Sequence, residues 1–331
     1  MHGFVRAITY HLPPTKVTNE HLAHLHPDWN VQKTKTGIDV RSIAGPHECA
    51  SDLALRAAID LFKLGVSVRE EVDYLLFCTQ TPDYLVPATA CILQNRLNLS
   101  MNIGALDFNL GCSGYVYGLG LADALIKSGQ ARTVLLLTGD TYSKFLDPDD
   151  KNTTMLFGDA GTATLICLEA NSAKRMESPV YGTDGSGAGH LIVPESAFRE
   201  GAPPEGHPFP ISMLRPGSLY MNGAKIVDFV LTRVPEAVNL LLERSALRVK
   251  DIDLFIFHQA NEYILRELGR ALNIPSEKLY IDVASCGNTV SSTIPIALER
   301  AFRIGLIQPK FKVMLVGFGV GFSWAATILS Y

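Results

Sequence analysis

Glu71-Val72-Asp73-Tyr74-Leu75-Leu76-Phe77-Cys78 decides the fold, because its pattern returns in the second half of the chain as Asp251-Ile252-Asp253-Leu254-Phe255-Ile256-Phe257-His258. Each copy opens on two acidic residues around an aliphatic one, continues as an unbroken apolar run and ends on a residue with chemistry. The correspondence extends downstream. Leu106-Asp107-Phe108, leading to Cys112, matches Ile281-Asp282-Val283, leading to Asn288, and Thr133-Val134-Leu135-Leu136-Leu137 matches Lys312-Val313-Met314-Leu315-Val316. Short apolar runs rich in Val, Ile and Leu, separated by helix-length segments, predict mostly parallel sheets covered by helices. The chain therefore reads as two duplicated α/β halves, residues 1–171 and 172–331, packed together.

Polar residues gather where these strands stop, and ligand sites in open α/β sheets lie at the carboxyl ends of strands. In the first half the apolar run Ala105-Leu106-Asp107-Phe108-Asn109-Leu110 turns through Gly111 to Cys112, and a helix is expected from about Ser113 to Ile126, ending before Ser128-Gly129. The positive end of that helix would point at the sulfur and lower the thiol pKa. In the second half the strand ends carry His258, from Phe257-His258-Gln259-Ala260-Asn261, and Asn288, from Cys286-Gly287-Asn288-Thr289. Taken singly, a His after an apolar strand is explained by a structural hydrogen bond and an Asn after Gly by a turn. Within a duplication, however, Cys78 stands opposite His258 and the neighbourhood of Cys112 stands opposite Asn288, so the chemistry has diverged while the strands have not. A pseudo-twofold between the halves would bring the nucleophile to both polar partners. Gly317-Phe318-Gly319-Val320-Gly321-Phe322 follows the last repeated strand; it reads either as a tight turn between strands or as backbone that approaches a ligand and supplies half an oxyanion hole.

Composition limits the alternatives. The 331 residues include 47% hydrophobic ones, enough for a large buried core, and the formal net charge of -4 comes without a dense Lys/Arg cluster for nucleic acid. No apolar stretch approaches the ~18 residues that cross a bilayer, and Met1-His2-Gly3-Phe4-Val5-Arg6 lacks the build of a signal peptide, so a cytoplasmic address is expected. Cys49, Cys78, Cys91, Cys112, Cys167 and Cys286 form no C-x-x-C pair, which favours reduced thiols over disulfides or zinc. His21, His24 and His26 lack a carboxylate arranged as a partner, so no metal is expected. The glycine clusters lack G-x-G-x-x-G between a strand and a helix, so no redox cofactor is expected. Glu70-Glu71 precede their strand and lie at its wrong end for the site.

Across essentially its whole length the chain resembles the thiolase-fold condensing enzymes, specifically the ketoacyl-acyl-carrier-protein synthase III type. The resemblance rests on Gly111-Cys112-Ser113-Gly114, His258-Gln259-Ala260-Asn261, Gly287-Asn288-Thr289 and Gly317-Phe318-Gly319, in that order, and on Phe157-Gly158-Asp159-Ala160-Gly161 as the turn between the two central strands. It implies a thiolase-like α-β-α-β-α layered fold. It also implies a catalytic trio: Cys112 takes an acyl group from a thioester, with the backbone N–H groups of Cys112 and Val320 as oxyanion hole, while His258 and Asn288 hydrogen-bond a malonyl thioester that loses carbon dioxide. The resulting enolate attacks the acyl-Cys to give a 3-oxoacyl thioester. Asn cannot take up a proton under these conditions, so its part, through the amide N–H, is electrostatic. Phe318 would shape the malonyl side. No cofactor is implied, coenzyme A or phosphopantetheine thioesters being substrates, and the implied partners are an acyl carrier protein and a second copy in a homodimer.

Further residues follow from the same resemblance. Trp29 falls near an adenine-stacking position, Lys35 and Lys151 replace arginines as phosphate contacts, Gly223 and Asn261 flank the pantetheine arm with Ala224 in place of an Asn, and Val86, Leu156 and Met221 form the acyl pocket, Val86 near the subunit interface. Carrier-protein docking maps to Gln259-Ala260-Asn261-Glu262-Tyr263, with Glu262-Tyr263 standing where an Arg is usual. The loop-like segment from Gly182 to Pro216, with Pro203-Pro204 and Pro208 to Pro210, either caps the pocket or is a passive insertion. Two other functions fit some of these features: an acyltransferase of a specialised pathway passing the Cys112-bound acyl group to an O, N or other C nucleophile, and an inactive partner subunit. Retention of Asn288 favours decarboxylative condensation over the first, and the intact trio argues against the second.

Overall fold

A computed structural model of the chain describes residues 2–30, 35–65, 69–169, 174–194, 196–198, 215 and 217–331. Strands β1 (His2–His11), β4 (Tyr74–Cys78), β5 (Gly104–Phe108), β6 (Thr133–Asp140) and β7 (Ala160–Glu169) form one sheet in the order β1-β7-β6-β4-β5, beside a small pair made by β2 (Thr15–Thr18) and β3 (Val40–Ile43). Strands β12 (Leu254–Phe257), β13 (Lys312–Gly319) and β14 (Ser323–Ser330) make the second sheet, with β8 (Arg175–Met176) and β9 (Val180–Thr183) both paired to β14. A further pair joins β10 (Leu191–Ile192) to β11 (Tyr220–Met221).

The duplication is visible in the ladders. β4 runs parallel to β6 with Tyr74 opposite Val134, as β12 runs parallel to β13 with Leu254 opposite Val313; β7 and β14 then return antiparallel. One expected strand is missing from the second copy. Ile281-Asp282-Val283 does not pair as β5 does: a single bridge links Phe255 to Leu279, and the Tyr280 N–H donates to the Phe255 carbonyl at 3.0 Å. The Gln259 side chain replaces the ladder, its amide donating to the carbonyls of Phe257 at 2.7 Å and Tyr280 at 3.3 Å and accepting from the Asp282 N–H at 2.6 Å.

Helices complete five layers, α-β-α-β-α. Helices α2 (Ala50–Lys63) and α3 (Thr89–Arg96) cover the outer face of the first sheet, where Ala54, Ala57 and Leu61 meet Leu75, Phe77, Leu135 and Leu137. Helices α6 (Gly223–Arg244) and α7 (Glu262–Ala271) cover the second, packing Val230, Val234 and Leu268 on Phe255, Phe257 and Met314. Between the sheets lie α4 (Gly114–Lys127) and α8 (Thr293–Arg303), whose Val116, Leu119, Ile294 and Ala297 touch Leu76, Leu136, Ile256 and Leu315. Strand residues alternate between faces, and both faces are apolar because both are covered. Helix α4 fits there because glycines stand where it meets the first sheet: a Cβ on Gly118 would lie 2.7 Å from Leu136 Cδ1. Two short helices, α1 (Asn19–Leu25) and α5 (Lys151–Thr154), belong to the excursions near the site. The segment read as a loop from Gly182 contains the end of β9, a 3₁₀ turn over Gly185–His190 and β10, while Pro203, Pro204, Pro208 and Pro210 lie outside the described residues.

Candidate active site

Cys112 sits in the turn from β5 to α4 and is buried. The last turn of β13 presses against it. A Cβ on Gly319 would stand 2.7 Å from Cys112 Cβ and 2.9 Å from its sulfur, and one on Gly317 would stand 2.8 Å from Ser113 Cα. Only glycine at these two places lets the strand of one half reach the nucleophilic turn of the other. Beyond Gly319 the chain reverses through 320–322 into β14, so the glycine-rich segment is both the strand turn and a wall of the site. The backbone N–H groups of Cys112 and Val320 lie near the sulfur and favour its charged form.

The expected thiolate is not what this surrounding favours. Burial, with a smaller contribution from the Asp140 carboxylate, pushes the Cys112 thiol up to about 12 despite those two N–H donors. The helix end does lie beside the sulfur, but loss of water around a fully buried thiolate outweighs a partial charge. Asp140, which ends β6 and is fully buried, accepts from the N–H groups of Gln80 at 2.8 Å and Ser291 at 3.3 Å and from the Ser291 hydroxyl. Burial raises its carboxyl to about 7. Sequence reading missed this residue; its one signal was a carboxylate closing the otherwise uncharged run Thr133 to Asp140.

His258 follows β12 and is 2% exposed. Its backbone N–H donates to the Val316 carbonyl at 2.7 Å, its Nδ1 lies 2.7 Å from Thr293 Oγ1, and the Phe318 ring meets it edge to face at 5.4 Å between centroids. Burial lowers its pKa to about 3, so the imidazole is neutral near pH 7. Asn288 is held by backbone bonds across the halves: its N–H donates to the Leu156 carbonyl at 2.9 Å and its carbonyl accepts from the Gly158 N–H at 3.0 Å. Its side-chain oxygen accepts from the Val290 N–H at 2.9 Å, which leaves the amide N–H groups as the part available to a ligand. Around it the backbone is left-handed at Gly287 (φ 73°) and at the buried, β-branched Val290 (φ 55°), a strain that costs on the order of 1–3 kcal/mol and commonly marks a functional turn.

Cys112, His258 and Asn288 share one cavity of about 490 Å³, as the pseudo-twofold required. Among the residues expected to bind substrate, Lys151, Leu156, Met221, Gly223, Asn261 and Phe318 line it, together with Ala224 and Ala260. Others fall elsewhere. The Trp29 ring is buried against Leu22 and Met155 and stacks on His26 at 3.8 Å; it does not line the cavity, though its carbonyl accepts from Lys151 Nζ, which does. Lys35 lines a separate surface groove of about 400 Å³ with Glu262, Tyr263 and Arg266. Val86 is 83% exposed on the outside, next to Tyr84 and Leu85. Gln259 is corrected outright as a docking residue: it is 1% exposed and both ends of its amide are spent on backbone groups, so a carrier protein has nothing of it to touch. The sequence also gave no warning of Thr293, one hydroxyl among several in Ser291-Ser292-Thr293, or of Ile226, Val227 and Ile264, the apolar cavity wall supplied by α6 and α7.

These features agree with comparisons to known proteins. The family model described as 3-oxoacyl-[acyl-carrier-protein (ACP)] synthase III matches residues 106–185, and that of its C terminal matches residues 242–331. The beta-ketoacyl-[acyl-carrier-protein] synthase III of Clostridium tetani is 36% identical over 324 residues, 97% of this chain and 96% of that protein. Its counterpart in Caldanaerobacter subterraneus subsp. tengcongensis is 33% identical over 324 residues, 97% of this chain and 95% of that one. A 2.1 Å crystal structure of a 3-oxoacyl-(acyl-carrier-protein) synthase III, 45% identical, covers 100% of both chains with a TM-score of 0.95. The nucleophile turn lies in the first matched segment and the His and Asn turns in the second, and the chain belongs to the 3-oxoacyl-[acyl-carrier-protein] synthase III family of thiolase-fold transferases.

Proposed function

We propose that this chain forms a 3-oxoacyl thioester by decarboxylative condensation of a Cys112-bound acyl group with a malonyl thioester, working as two duplicated halves that divide near 171/172. The observation that carries the reading is the convergence of a buried thiol, two N–H groups aimed at it, a neutral imidazole and an amide with free N–H groups on one cavity. In the first step Cys112 Sγ bonds to the acyl carbon, the thioester carbonyl oxygen charges against the N–H groups of Cys112 and Val320, and the departing thiol leaves with the Cys112 proton. In the second, the malonyl carbon–carboxylate bond breaks, its electron pair moves into an enolate held by His258 and Asn288, and that carbon bonds to the acyl carbon as Sγ leaves. Phe318, edge-on to His258, keeps water from the carboxylate that is lost.

The acyl donor and the malonyl carrier are coenzyme A or phosphopantetheine thioesters, whose arm would run past Asn261 and Gly223 toward Lys151. An acyl carrier protein would dock outside that mouth, around Asn261, Glu262 and Tyr263, and a homodimer would cover Tyr84, Leu85 and Val86. Intact-protein mass spectrometry after incubation with a panel of acyl-CoA thioesters tests the reading: an adduct absent from Cys112→Ala and discharged by a malonyl thioester with release of carbon dioxide is expected. An adduct that persists with malonyl-CoA and malonyl-carrier protein would instead favour transfer to another nucleophile.

A further inference from the structure

His258 is neutral at working pH and has one ring hydrogen to place, and the proposed chemistry needs it on Nε2, the nitrogen turned away from Thr293. Among the described residues, the polar neighbour of Nδ1 is the Thr293 hydroxyl, 2.7 Å away, at the first residue of α8. That hydroxyl also lies 3.1 Å from the Val290 carbonyl. Were it to donate there, it could only accept from Nδ1, the ring hydrogen would sit on Nδ1 and Nε2 would present a lone pair to the cavity. The Val290 carbonyl, however, already accepts from the backbone N–H of Thr293. It loses little when the hydroxyl hydrogen turns away, and once the ring hydrogen sits on Nε2 the buried Nδ1 is an acceptor for which the Thr293 hydroxyl is the donor at hand.

We propose that Thr293 is the positioning residue that sets the tautomer of His258: its hydroxyl donates to Nδ1, so that Nε2–H faces the cavity and hydrogen-bonds the thioester oxygen as the enolate forms. This rests on the condensing reading of the site. Thr293 touches no substrate and acts only through the ring. Removing its hydroxyl while keeping its shape takes away the bias between tautomers and so the donor that the decarboxylation step uses, and leaves the Cys112 turn, its two N–H groups and the acyl-loading step in place.

The experiment uses the full chain with ¹⁵N-labelled histidine, His258 being assigned by difference against His258→Gln, alongside Thr293→Val and Thr293→Ser. In the unsubstituted protein the ¹⁵N spectrum shows His258 protonated on Nε2 and bare on Nδ1; Thr293→Val moves the population toward the other tautomer and Thr293→Ser does not. With malonyl-CoA as probe, carbon dioxide release by Thr293→Val falls about 100-fold, the scale of losing one donor to a developing oxyanion, while the extent of Cys112 acylation by acetyl-, butanoyl- and octanoyl-CoA is unchanged and Thr293→Ser recovers release. A proton found on Nδ1 in the unsubstituted protein overturns the proposal, as does decarboxylation untouched by Thr293→Val or lost in equal measure with acylation. The spectrum reads the tautomer without turnover, so a protein that decarboxylates no malonyl thioester would sink the condensing function while the tautomer assignment is still decided.

Discussion

At the scale of single residues, the site stores its reactivity in buried groups whose charge states are set by exclusion of water. Cys112 is held up to about 12 and His258 down to about 3, so both are neutral across the physiological range. Alkylation of Cys112 by iodoacetamide should therefore climb about tenfold per pH unit from pH 7 to 9 with no plateau, because the thiolate fraction is still growing; a plateau near pH 7 would contradict the burial argument. Asp140 adds to the effect through its negative charge, so Asp140→Asn should speed alkylation, more at pH 9 than at pH 6 because the carboxyl is raised to about 7 and ionises between them. The same group has a linkage consequence. A carboxyl whose folded pKa exceeds its ordinary 3.8 binds protons better when folded, so its stabilisation is complete below that value and is lost as pH rises through about 7. Thermal melts should show the native protein losing ground to Asp140→Asn between about pH 5 and pH 8.

At the scale of elements, the site depends on how closely β13 can lie on the turn before α4. Gly319→Ala would place its methyl 2.7 Å from Cys112 Cβ and 2.9 Å from its sulfur, against a short side chain with no flexible far end to give way. A displacement of the sulfur by about 1 Å costs about 100-fold in a positioned reaction, so acyl loading should drop by that scale with the fold retained, as read by mass spectrometry and circular dichroism. Gln259 shows the reverse case, a motif residue whose work is architectural. Gln259→Leu would leave the Asp282 N–H and the Phe257 carbonyl without their partner, and should lower stability by about 1–3 kcal/mol in denaturant titration. Its apparent affinity for a carrier protein should not change, because the side chain is buried.

At the scale of the whole molecule, two sheets and three helical layers bring together residues that are far apart in the chain. The halves are sewn by polar contacts as well as by the apolar middle layer: Ser113 meets Ser323 at 2.7 Å, and Thr138 meets Ser292 at 2.8 Å. The outer surface is less complete. Tyr84, Leu85 and Val86 are each more than 60% exposed in succession, an apolar run that a second copy would cover. Sedimentation should report a dimer, and Leu85→Asp with Val86→Asp should yield monomers; monomeric native protein would remove the proposed interface.

The amino-acid order by itself determined the two α/β halves and the place of Cys112, His258 and Asn288 at strand ends, because strands buried on both faces must be written as continuous apolar runs and their chemistry must stand where those runs end. It also marked the glycines of 317–321 as places where backbone comes near a ligand. It did not determine the charge state of Cys112, since a helix end is visible in sequence and the loss of water around a sulfur is not. Nor did it distinguish Gln259 as a staple from Gln259 as a docking residue, or single out Asp140 and Thr293. Those roles depend on which distant backbone groups and side chains a fold leaves without water, and only the packed halves decide that.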